Sequence, residues 1–69
     1  MNPNRIEILE LPSGKFSWLT HAPDGMVYSS VIEHDSTLDA ELDARLFTTK
    51  NHPGVVFAVE RHTQIYPSN

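Results

Sequence analysis

The chain has 69 residues, nine acidic and five basic side chains, a formal charge of −4 and no cysteine. A single domain of this size buries only about 60% of the surface its unfolded chain exposes, and without cysteines disulfides cannot supplement that burial, which leaves metal or oligomerisation as the usual supports. The acidic balance argues against direct binding of nucleic acid or of an anionic membrane through a basic face, and no apolar run approaches the ~20 residues of a membrane span.

In chain order, Met1-Asn2-Pro3-Asn4-Arg5 is polar and lacks the apolar core of a signal peptide. Frayed ends over 1–4 and 67–69 around a single domain, and a soluble cytoplasmic protein, are therefore expected. Arg5 to Leu11 reads as a strand with Ile6 and Ile8 on one face, and the change of parity at Leu9 and Leu11 predicts a bulge or strand end near Leu9. Pro12-Ser13-Gly14 is a turn, short enough to make hairpin neighbours of the strands beside it. Phe16 to Thr20 and Met26 to Ile32 form a second hairpin around Ala22-Pro23-Asp24-Gly25. There proline presets φ, aspartate suits the next position, and glycine takes the left-handed one, giving a bulged loop. Counting outward pairs Ala22 with Met26, Thr20 with Tyr28, Trp18 with Ser30 and Phe16 with Ile32.

Ser36 is placed to cap a helix by accepting from the Asp39 amide. Acidic residues near its start and Arg45 and Lys50 towards its end complement the helix dipole. Leu38, Leu42 and Leu46 recur every fourth residue as the expected buried stripe, with Ala40 and Ala44 at its flanks and a stop around Thr48. Val55 to Ile65 reads as the last strand. The fold class is α+β, with element order β-β-β-α-β: an antiparallel sheet of three to four strands and one helix on one face.

The candidate chemistry is sparse. His21, His34, His52 and His62 lie 10 to 18 residues apart, whereas zinc ligands favour tight, repeated spacings. They read as exposed loop histidines, so no metal, no cofactor and no catalytic residue is expected. Glu33-His34-Asp35 reads as a polar linker into the helix cap, and Ser29-Ser30 lacks the glycine-flanked turn of a nucleophile. Phe16, Trp18 and Tyr28 could form a base-stacking platform, but the basic groove that accompanies one is missing, so they read as core. Asp35, Asp39, Glu41 and Asp43 could present spaced carboxylates to a basic partner; the alternative is a solvated helix face.

Gly14-Lys15-Phe16-Ser17-Trp18-Leu19, then Ala22-Pro23-Asp24-Gly25-Met26-Val27-Tyr28-Ser29-Ser30, then a helix from Ser36, resemble the small YegP-like domains of bacteria. The resemblance covers roughly residues 10–50 and implies the strand-turn-strand-helix arrangement only. It brings no activity and no catalytic residue, and this helix is more acidic than the family pattern.

Both faces of the central hairpin carry apolar side chains, and one helix can cover only one of them. The aromatic side is expected under the helix. Leu19, Val27, Val31, Val56 and Ala58 are expected to form an interface on the other side. The expected role is a non-enzymatic protein-interaction or regulatory module, a homodimer with a protein partner. The alternatives are an acidic inhibitor, for example phage-encoded, that occupies a basic surface of a nucleic-acid-binding protein, and a histidine-based metal or catalytic site.

Overall fold

The computed structural model of the protein describes residues 4–62. It contains β1 (Arg5–Glu10), β2 (Phe16–His21), β3 (Val27–Ser29), α1 (Thr37–Asn51) and β4 (Ala58–His62), with sheet order β3-β2-β1-β4. Expectations for residues 1–3 and 63–69, including the end of the last strand and the tail, lie outside the described residues.

Two proline-led turns set the antiparallel part. Leu11 donates to the Lys15 carbonyl at 2.8 Å and Ala22 to that of Met26 at 3.0 Å. Gly14 and Gly25 both adopt the left-handed region, at φ 87° and 86°, as the bulged loop requires. The register follows. Thr20 faces Tyr28, and the Ser30 amide donates to the Trp18 carbonyl at 3.0 Å. β1 pairs with β2 without interruption from Arg5↔His21 to Glu10↔Phe16, so of the two features expected near Leu9 the strand end is found, at Glu10, and the bulge is not. Leu9 simply shares the face of Arg5 and Glu7.

The predicted Phe16–Ile32 pair does not form. β3 ends at Ser29, Val31 and Ile32 turn outward, and the chain rejoins β2 only where Phe16 and His34 exchange hydrogen bonds of 2.8 and 2.7 Å. The sheet is also mixed rather than antiparallel, because β4 runs parallel to β1 in the register Arg5↔Ala58 to Leu9↔His62. The helical connection makes this possible, since parallel neighbours need a long crossover whereas a short turn enforces antiparallel pairing. The last strand starts at Ala58, not Val55.

Ser36 caps α1 as expected, its Oγ accepting from the Asp39 amide at 3.1 Å. The helix continues to Asn51, past the expected stop at Thr48, and the His52 amide closes its end by donating to the Thr48 carbonyl. Its orientation differs from expectation. Ala40, Ala44 and Thr48 are the buried residues, whereas Leu38, Leu42 and Leu46 are 62%, 52% and 70% exposed. The helix-facing side of the sheet is already filled by Ile6, Ile8, Trp18, Phe16 and Tyr28. Small residues let the helix backbone approach that layer closely, and Phe47 adds its ring at 5.2 Å from Trp18 and 5.1 Å from Tyr28. Polar contacts hold this rotation. Trp18 Nε1 donates to Asp43 Oδ2 at 2.9 Å, His34 Nε2 lies 3.0 Å from the same oxygen, and Arg61 of β4 pairs with Glu41. As expected, the aromatic side of the hairpin is the side the helix covers.

Candidate functional site

Two surfaces carry unusual chemistry. The first is the outer face of α1. Leu38, Leu42 and Leu46 recur every fourth residue, so they form an apolar ridge that climbs about 12 Å along the helix and is inclined to its axis. At its C-terminal end the ridge runs into a groove of about 560 Å³ between the helix and β3. Trp18, Tyr28 and Phe47 line the groove, and Val31, Ile32 and Leu46 also contribute. Val31 is 98% exposed, so this apolar surface lies open at the edge of the sheet.

The acidic row on the helix is not an open array. Glu41 is engaged by Arg45 and Arg61, and Asp43 by Trp18 and His34. Asp35 pairs with Lys15 at 2.6 Å, which holds its carboxyl below the usual range. Among the described residues only Asp39 of the four presents a carboxylate with no side-chain partner. The outer surface keeps an order, however: Asp35 and Asp39 flank the start of the leucine ridge, and Arg45 and Lys50 lie towards its end.

The second surface is the sheet face away from the helix. Strand alternation places Arg5, Glu7 and Leu9 of β1, Leu19 and His21 of β2, and Ala58, Glu60 and His62 of β4 on it. Glu7 lies at its centre, with a side chain only 17% exposed. One carboxylate oxygen receives His21 Nε2 in a short contact, the other lies 3.1 Å from His62 Nε2, and Arg5 approaches at 3.4 Å. Burial pushes the Glu7 carboxyl up, but the hydrogen bond from His21 and the charges of His21, Arg5 and His62 outweigh it and bring it below the ordinary value.

Of the four histidines, the fold therefore brings His21 and His62 together on Glu7. His34 is held under the helix by Asp43, and His52 caps the helix beside Tyr28 and Phe57. Reading along the chain missed this convergence because it depends on β4 lying parallel to β1. The signal present was parity, since Glu60 and His62 alternate on one strand as Arg5 and Glu7 do on another.

The expected interface residues are dispersed. Leu19 is half-buried opposite Glu7, and Val27 and Ala58 are exposed on β3 and β4 with the polar cluster between them. Val31 belongs to the groove on the helix side, and Val56 is exposed ahead of β4. No protein-family model, no curated protein and no solved structure matches this chain.

Proposed function

We propose that the protein is a small interaction module, acting by binding rather than catalysis, that pairs with a second copy through the outer face of α1. One observation carries this reading: the leucine ridge Leu38, Leu42 and Leu46 points away from the protein's own core. Three half-exposed or more exposed leucines on one helix, joined to Val31 and Ile32, make the kind of apolar patch that marks a protein contact. The charge order favours a second copy as occupant. An antiparallel arrangement about a two-fold axis near Leu42 sets the start of each helix, where Asp39 has no side-chain partner among the described residues, beside the end of the other, which carries Lys50 and Arg45, the latter also holding Glu41 of its own helix. It also opposes the two helix dipoles favourably. A parallel arrangement would set like charges together. The polar centre of the open sheet face, built on Glu7, makes that face the poorer apolar interface.

Light scattering over a concentration series tests the proposal. The expected mass is twice 7.8 kDa at high micromolar concentration. Leu42→Lys should raise the dissociation constant by at least about tenfold, whereas Val27→Lys on the sheet should leave it unchanged. A monomer at every concentration would refute self-pairing.

A further inference from the structure

We infer that the open sheet face holds a divalent transition-metal site, with zinc as the best-matched ion. Its ligands are Glu7, Glu60 and His62, and His21 acts as a positioning residue. Glu7 and Glu60 face each other in register on adjacent strands, an arrangement in which like charges repel unless a cation intervenes. Arg5 is the nearest cation, but its nitrogens lie 3.4 Å from Glu7 and 3.7 Å from Glu60. Both distances exceed the ~2.8 Å of a charge-assisted hydrogen bond, so Glu7 is held chiefly by His21 and His62, and among the described residues the cationic groups nearest Glu60, Arg5 and His62, stand at 3.7 and 4.0 Å. His62 Nε2 sits 3.1 Å from Glu7 Oε1 and 4.0 Å from Glu60 Oε1. One ligand atom from each of the three residues falls within 4.8 Å of the others. Tetrahedral zinc with bonds of about 2.1 Å separates its ligand atoms by about 3.4 Å, so small rotations of these side chains complete three corners and leave a fourth for water.

The ligand chemistry selects the ion. The imidazole of His62 favours a transition ion over magnesium and calcium, which prefer oxygen-only shells, and three nitrogen and oxygen ligands with a fourth position for water are an arrangement zinc commonly takes. His21 contacts the other oxygen of Glu7. An N–H donated there fixes the ligating carboxylate, the usual office of a group behind the ligands. Spacing between the histidines spoke against a histidine site, but here two adjacent parallel strands, β1 with Glu7 and β4 with Glu60 and His62, bring the ligands together.

Isothermal titration of chelator-treated protein with zinc chloride at neutral pH, with circular dichroism to confirm folding of each variant, is the test. One equivalent should bind. His62→Ala and Glu60→Gln should each weaken binding by at least about tenfold, and His52→Ala should not change it. Arg5→Ala should tighten it by removing the competing cation. His21→Leu should weaken it about tenfold, and His21→Gln, which can still donate to Glu7, should recover most of the loss. Absence of saturable binding at millimolar zinc would overturn the inference and leave a salt-bridge network. So would equal binding by wild type and the folded His62→Ala/Glu60→Gln double variant.

Discussion

Gly25 shows how one residue can be read from sequence alone. The Pro23-Asp24-Gly25 order requires a left-handed backbone at the third position, and the observed φ is 86°. No atom lies within 4 Å of a Cβ built there, so a substitution meets backbone strain rather than a clash. Gly25→Val should cost about 1 kcal/mol or more in urea unfolding. Thr20 shows what could not be read. It is fully buried, and among the described residues its Oγ1 has no hydrogen-bond partner. Thr20→Val keeps the shape and removes the unsatisfied hydroxyl, so it should stabilise by about 1 kcal/mol, visible as a higher denaturation midpoint with an unchanged slope. Glu7 sets an acid sensitivity. Its folded pKa is below its ordinary value, so its contribution is present above the unfolded pKa and fades as pH falls through the folded one. The stability gap between wild type and Glu7→Gln should therefore narrow on going from about pH 5 to pH 3.

At the scale of elements, local turn chemistry carried the hairpin, and capping chemistry carried the start of the helix. Both are encoded within four or five adjacent residues, at Ala22 to Met26 and at Ser36 to Asp39. The rotation of α1 was not carried by periodicity, because two stripes share the same period: Leu38-Leu42-Leu46 and Ala40-Ala44-Thr48. The larger side chains suggested the first. The deciding signal was Phe47, which at three residues past Ala44 belongs to the alanine side and supplies the ring that meets Trp18 and Tyr28. The direction of β4 was equally hidden, since it depends on where the crossover from β3 returns. Chemical unfolding separates the two stripes. Phe47→Ala should destabilise the protein by about 2 to 3 kcal/mol. Leu42→Ala, measured where the protein is dilute, should cost under about 1 kcal/mol despite equal hydrophobicity.

Taken whole, the molecule keeps one face of its sheet polar at the centre and turns its largest apolar ridge outward on the helix. A four-stranded sheet under one 15-residue helix has few other places to gain burial, and a two-fold partner over Leu42 would add it without a larger chain. The chain has no native cysteine, so a single introduced thiol reports its own surroundings. Oxidative cross-linking of Leu42→Cys, compared with Leu38→Cys and Val27→Cys, tests this arrangement most directly. An antiparallel pair centred on Leu42 predicts rapid disulfide formation between the two copies at position 42, with the other two variants remaining largely monomeric on a denaturing gel. Efficient cross-linking through position 27 and none through position 42 would contradict it and place the contact on the sheet.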